Sequence, residues 1–411
     1  MVRSITAAGP VWAERPVATR TAAGNGRHHL RRVALLIETS GSYGRGLLRG
    51  VAKYNREKAG WSTYFHPHGF GDPPHPWLSN WEGNGILAQA DTPEIAELLA
   101  APGVPVVNLG PTMQGALFPY VGVDHRMIGM LAAEHLLLRK WMQYGIYGGD
   151  RGVDSGLDER RESFRRAVGQ AGVACHEFRA SRPQDQRPWE QAQERLASWI
   201  VSLPKPIGIM AVNDEHGLQL LDACRRCGAH VPDEVAVIGV DNDEHLCELS
   251  IPPLSSIDVN SEQIGYTAAA LLDRMIDGES PPAEALRIPP RQVVVRRSTD
   301  ITASEDEDVN RALRYIRETG SRGLQVNDVL THTGMSRATL QQRMKQLVGR
   351  TIHEEIERVR LARVQELLLK PGRTIKQVSR EAGFSSVQYM TRVFRRAVGE
   401  TPAAYRERRV I

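Results

Sequence analysis

Cysteine is scarce: Cys175, Cys224, Cys227 and Cys247 are the four in a chain of 411 residues. That is too few for a disulfide scaffold at this length. Cys224 and Cys227 have the spacing of a metal or redox pair, but they sit late in a helical run ending at Gly228, and no second pair completes a four-ligand set. His216 and His230 lie nearby without a recognisable zinc spacing. The cysteines therefore read as buried or half-buried structural residues, and neither metal nor cofactor is expected. Long apolar runs are missing too, and no stretch approaches the roughly 18 apolar residues of a membrane span. The N-terminus carries Arg3, Arg15, Arg20, Arg27, Arg31 and Arg32 without a continuous apolar segment. A signal peptide is therefore not expected, and a cytoplasmic location is. Residues 1–29 read as a disordered basic arm.

Charge is present but unevenly placed. Net charge is +4, yet from Val309 onward 21 Lys/Arg face 9 Asp/Glu, which leaves the preceding residues at −8. A basic C-terminal part on a mildly acidic body points to a nucleic-acid module joined to something else. At this length two or three domains are expected.

The basic part is organised around residues 374–406. A short amphipathic helix (Ile375, Val378, Ala382) stops at Gly383. A second helix follows Phe384-Ser385-Ser386 and runs to Val398. Gly399 ends it, and Thr401-Pro402 opens a last short helix. Helix, tight glycine turn and helix is the pattern of a helix-turn-helix. On the second helix Tyr389, Val393 and Phe394 fall on one side, while Gln388, Thr391, Arg392 and Arg395 fall on the other. Amide, hydroxyl and guanidinium groups on a solvent face are what reading base edges in a major groove requires.

The same pattern occurs earlier. Helices at 325–332 and 336–348 turn at Gly334, with Ser336 as N-cap. Leu340, Met344 and Leu347 point inward. Ala338, Gln341, Gln342 and Lys345 form the exposed face, with Arg337 beside them. A helix at 309–319 precedes this pair, and a long one at 352–369 connects the two motifs. The two recognition helices are then spaced to enter successive major grooves, roughly 34 Å apart. Gln388 and Arg392 are assigned to base edges in the second motif, and Gln341 and Gln342 in the first. Arg395, Arg396 and Lys345 are assigned to phosphates.

The acidic body has a different grammar. Apolar strands are expected at 32–37, 62–65, 85–88, 104–109, 121–123, 145–147, 173–178, 207–212, 235–240 and 254–257, alternating with helices. Such repetition gives parallel α/β sheets. Two α/β halves in tandem imply two lobes with a cleft between them, and ligand residues belong on loops after the strands. Tyr43 and Arg45, Asp124, Arg160, Asn213 and Asp214, and Asp241 occupy such loops or the first turn of the following helix. Carboxylates, amides, arginines and one aromatic ring suit a polyol: hydroxyls bridge the polar groups and the ring stacks on the sugar's apolar face. Asn and Asp after strands also serve as helix caps, a role open to Asp214 in particular. Asp241, in the run Asp241-Asn242-Asp243-Glu244, is the leading candidate. Residues 288–297 read as a closing strand and 299–308 as a solvated acidic linker, with docking on the basic domain as the alternative.

Gly383-Phe384, Phe394-Arg395-Arg396 and the run from Gly399 to Arg406 resemble the signature of the AraC/XylS family of transcription regulators, with Met390 where that family usually has Phe. The body resembles the LacI/GalR-type periplasmic-binding-protein fold. There, Val237 to Asn242 looks like the aspartate-bearing loop and Arg160 followed by Phe164 like the effector-binding arginine. Val123-Asp124 looks like the Val-Asp-Asn segment, with His125 replacing Asn. The order is unusual, because LacI proteins carry the DNA-binding domain in front. The resemblance implies an α/β bilobal sensor at 30–298 followed by an all-α DNA-binding domain at 309–411. It also implies a sugar-responsive regulator, usually an activator with RNA polymerase as partner, that dimerises on operator repeats. The effector by this analogy is D-xylose or a related monosaccharide.

The rival reading is an enzyme fused to a DNA reader, such as a cysteine-dependent repair methyltransferase. That chemistry needs a nucleophilic Cys with a base and an orienting group, and no such constellation is legible.

Overall fold

The computed structural model describes residues 30–67, 76–90, 92–110, 117–149, 152, 154–178, 189–300, 306–368 and 372–409. The expected arm at 1–29 lies outside them. The chain divides into two compact units, the first made of residues 1–138 and 143–300 and the second of residues 301–411 with the short segment 139–142.

The first unit alternates strands and helices as β1 (Arg32–Ile37), α1 (Ser42–Tyr54), β2 (Ser62–Pro67), β3 (Gly85–Ala88), α2 (Pro93–Ala100), β4 (Val106–Asn108) and β5 (Val121–Val123). It continues with α3 (His125–Leu137), β6 (Gln143–Tyr147), α4 (Ser155–Gln170), β7 (Cys175–Glu177), α5 (Trp189–Ser202), β8 (Ile207–Ala211), α6 (Asp214–Arg226) and β9 (Val235–Val240). Then come α7 (Glu244–Leu249), β10 (Ser255–Asp258), α8 (Ser261–Ile276), β11 (Leu286–Ile288) and β12 (Gln292–Val294). One sheet has the order β2-β1-β3-β4, and a six-stranded sheet has the order β12-β10-β9-β8-β6-β7. Pairing is parallel except between β10 and β12. Strands β8 and β9 are buried along their whole length, which is why they read as unbroken apolar runs.

Each lobe has its own core. Leu36, Ile86, Ile95 and Leu99 fill the first, and Ile200, Ile209, Leu220 and Val237 the second. Cys224 and Cys247 belong to the second core, and all four cysteines are free. Burial pushes the Cys175 thiol up to about 12 and raises those of Cys224 and Cys247 as well. None of these three supplies a thiolate at neutral pH, which removes them as nucleophiles for the enzyme reading.

Two expectations change here. The stretch at 288–297 is not one strand. β11 pairs with β5, whereas β12 joins the large sheet, and Pro289-Pro290, which lacks two N–H donors, separates them. Thr299, assigned to the linker, is fully buried in the α/β unit with Ser298. Ser298 Oγ donates to the Val237 carbonyl at 2.6 Å, and Thr299 Oγ1 donates to Ser255 Oγ at 2.8 Å.

The second unit is helical: α9 (Glu307–Thr319), α10 (Val326–Thr333), α11 (Arg337–Leu347), α12 (Ile352–Leu368), α13 (Ile375–Glu381), α14 (Val387–Val398) and α15 (Pro402–Arg409). Asp306 caps α9 by accepting from Asp308 N at 3.0 Å and Val309 N at 3.2 Å. Arg343 on α11 pairs with Asp306 at 3.0 Å and Asp308 at 3.5 Å. Asp306 and Asp308, at the end of the acidic run, are therefore tied to α11, while residues 301–305 of the expected linker lie outside the described residues. Side-chain caps from Ser336, Thr374 and Ser386 start α11, α13 and α14. Val364, Leu367, Val378, Met390 and Phe394 form the core of the second motif. Gly383 turns between its helices at φ 79°, and a Cβ there would lie 2.7 Å from the Ser321 carbonyl oxygen. Both the dihedral and the approach exclude a side chain. Among the described residues no helix is long and apolar enough to cross a membrane.

Candidate ligand cleft and DNA-facing helices

A cavity of about 790 Å³ opens where strands of the four- and six-stranded sheets of the first unit end at their carboxyl sides. Six of the seven sequence-assigned residues line it: Tyr43, Arg45, Arg160, Asn213, Asp214 and Asp241. Asp124 does not. Its carboxylate accepts from Met127 N at 2.9 Å as the N-cap of α3, and its neighbour His125 lines the cavity instead.

Arg160 is 3% exposed at the start of α4. It donates to the Val212 carbonyl and, at 3.3 Å, to His125 Nδ1, while its Nε has no partner. Burial, and after it the charge of Arg160, holds the His125 imidazole well below its ordinary range. The ring is therefore neutral and accepts that bond. Asp241 sits at φ 102°, and its carboxylate makes no hydrogen bond among the described residues. Burial raises its pKa to about 6, and the charge of Arg160 opposes the rise. Tyr43 donates to the Leu109 carbonyl at 3.3 Å. Burial pushes its phenol well above the usual value, so it stays a donor.

The remaining candidates serve the scaffold. Asn213, not Asp214, caps α6, accepting from His216 N at 2.9 Å. Asp214 is 2% exposed and accepts from Asp243 N at 2.7 Å, from Ser256 Oγ at 2.5 Å and from the Cys247 thiol at 3.6 Å. Burial raises it to about 8, with the charge of Asp241 adding to the effect. Gly239 allows this packing, since a Cβ there would meet Asp214 Oδ1 at 2.2 Å. Arg45 donates to the Thr39 carbonyl at 3.0 Å and to Asp243 Oδ2 at 3.1 Å. Glu38, Tyr120, His125, Asp154 and Asp243 line the cavity without having been assigned from sequence. Glu38 is the first residue after β1 and Asp154 the N-cap of α4, positions that the strand-end rule could have flagged.

On the second unit Gln388, Arg392, Arg395 and Arg396 are exposed and Thr391 is half-buried. On α11 Arg337, Ala338, Gln342 and Lys345 are exposed and Gln341 is half-buried. Met390, rather than Tyr389, fills the core side of α14. Two of the assigned phosphate ligands have acidic neighbours: Arg396 pairs with Glu357 at 3.0 Å, and Lys345 lies 3.9 Å from Glu354.

A ligand cleft between two α/β lobes and, on a separate unit, two helix-turn-helix motifs define a ligand-responsive DNA-binding regulator. Family models for a periplasmic binding protein-like domain, a helix-turn-helix domain and an XylR N-terminal domain match residues 125–299, 329–408 and 32–125. The chain is 33% identical to the xylose operon regulatory protein of Escherichia coli K12, over 92% of this chain and 97% of that one. It is 30% identical to the one from Haemophilus influenzae, over 91% and 98%. The chain belongs to this family of xylose operon regulatory proteins. A solved structure described as a xylose-binding transcription activator aligns with a TM-score of 0.75 at 31% identity, over 92% of this chain and 98% of that chain.

Proposed function

We propose that this chain is a sugar-responsive transcription activator whose effector is D-xylose or a related monosaccharide. It acts in the cytoplasm as a homodimer on two operator half-sites and engages RNA polymerase. The observation that carries the sugar reading is the Arg160 Nε, buried and without a partner among the described residues, in one cavity with the half-buried Asp241 carboxylate, which accepts no hydrogen bond among them. Buried polar groups left unmatched are costly, and a ligand bearing several hydroxyls satisfies both an acceptor and a donor. The names of the relatives, xylose operon regulatory protein and xylose-binding transcription activator, support a pentose. Sugar shifts the regulator between states only through its differential affinity for the closed and open cleft. The DNA assignments for α11 and α14 stand on their exposed faces and on the match to the helix-turn-helix model.

A thermal-shift panel of pentoses, hexoses and polyols tests the sensor. One ligand should stabilise the chain by several degrees, and Asp241→Ala should abolish that response. A flat panel would leave the cleft without a sensing role.

A further inference from the structure

We propose that Glu357, on the helix connecting the two motifs, is a positioning residue that sets the DNA-reading face of α14. It acts through Tyr389 and Arg396 without touching DNA itself. The proposal rests on the assignment of Arg392 to base edges. Glu357 is buried on α12 and holds two side chains of α14 with its two oxygens. The Tyr389 hydroxyl donates to Oε1, and Arg396 Nη2 donates to Oε2 at 3.0 Å. His353 Nε2 lies 3.3 Å from the Tyr389 hydroxyl and 3.5 Å from Glu357 Oε1. The Arg392 guanidinium rests over the Tyr389 ring, 5.3 Å from its centre. That ring packs against Phe384 in an edge-to-face arrangement, with centroids 5.9 Å apart and ring planes 65° apart. The ring is therefore fixed at its hydroxyl by Glu357 and on its side by Phe384, and Arg392 is held on it by cation–π attraction.

The arrangement has two consequences. A long side chain that is ordered before DNA arrives loses less freedom on binding, so Arg392 can discriminate among bases at a lower entropic cost. Arg396 is occupied by a carboxylate where a phosphate would otherwise bind, which lowers sequence-independent affinity. Both effects raise the ratio of specific to non-specific binding. Glu357 thus trades overall affinity for discrimination.

The test uses the full chain and two probes: a duplex enriched by the wild-type chain from a random-sequence pool, and a scrambled duplex of equal composition. Tyr389→Phe keeps the ring and the Arg396 pair but frees the ring from Glu357. It should lower the ratio of affinities roughly three- to tenfold and leave the salt slope unchanged. Glu357→Gln keeps an acceptor for Tyr389 and releases Arg396. It should tighten binding to the scrambled duplex and steepen the salt slope by about one phosphate. Glu357→Ala should show both effects, and its loss of discrimination should not add to that of Arg392→Ala. The proposal is overturned if Tyr389→Phe keeps full discrimination, if Glu357→Gln leaves the salt slope unmoved, or if the Glu357 and Arg392 losses add in full. Should the wild-type chain enrich no sequence, the DNA reading fails as well. Enrichment with an unaffected Tyr389→Phe variant defeats the Glu357 proposal alone.

Discussion

Arg45 and Asp243 join the two lobes across the mouth of the cleft at 3.1 Å. Arg45 lies in the first turn of α1 in the first lobe. Asp243 caps α7 in the second lobe and donates its own N–H to Asp214. Arg45 is 41% exposed, so the pair is partly screened, and its loss should cost about 1 kcal/mol of closure. We predict that Arg45→Ala weakens binding of whichever sugar the thermal-shift panel identifies roughly fivefold in a calorimetric titration, with little change in melting temperature. It should also widen the unliganded molecule in small-angle scattering. An unaltered binding constant would show that the ion pair does not bias closure.

The pH response should track Asp241. Its carboxyl is raised to about 6 in the folded chain, chiefly by burial. An acid raised on folding contributes fully below its unfolded pKa of about 4, and that contribution is lost as pH climbs through the folded value. The sugar-free protein should therefore lose stability between about pH 4 and pH 6 by at most about 3 kcal/mol from this group. Asp241→Asn should make that part of the profile shallower in thermal unfolding, leaving the slope contributed by Asp214, whose carboxyl is also raised. Sugar affinity should move the opposite way in the wild type, rising through pH 6 as the acceptor ionises. A profile that Asp241→Asn leaves intact would assign the titration to another group.

Asp214 is a different kind of acid. Raised to about 8 by burial and by Asp241, it is held mainly protonated at neutral pH while accepting from three donors. Asn matches that neutral form in shape, keeps one acceptor oxygen for Asp243 N–H and can donate its amide N–H to Ser256 Oγ. Asp214→Asn should therefore fold with nearly wild-type stability at pH 7. Asp214→Ala leaves Asp243 N–H and the Ser256 hydroxyl without their acceptor and should cost about 2–4 kcal/mol in denaturant unfolding. Equal stability of the two variants would contradict the anchoring role.

What was legible in the sequence follows physical range. Continuous apolar runs marked β8 and β9 because burial on both faces removes alternation. Gly383 and Gly399 marked helix ends because positive φ leaves few alternatives to glycine. Strand-end loops brought six assigned residues to one cavity. Their division of labour was not legible. Arg45 is pulled from the ligand set by a residue 198 positions away, and Arg396 is claimed by one 39 positions away. Asp124 and Asp241 have the same composition and the same place after a strand. Only the backbone separates them, since one caps its helix while the other stands at φ 102° without a cap to make.

The same distinction redistributes the arginines of α14. Arg395 and Arg396 both read as phosphate ligands, yet Arg396 is paired with Glu357 while no ion pair holds the exposed Arg395 among the described residues. The phosphate role therefore moves to Arg395. Arg395→Ala should weaken selected and scrambled duplexes alike and lower the salt slope by about one. Arg392→Ala should cost about 1–3 kcal/mol on the selected duplex alone, because a base contact is lost only where the base is right. Arg396→Ala should change the salt slope less than Arg395→Ala, since its charge is already balanced. Titrations of both duplexes between about 50 and 200 mM salt separate the three. If Arg396→Ala lowered the slope as much as Arg395→Ala, DNA must displace Glu357, and the pair would be a feature of the free protein alone.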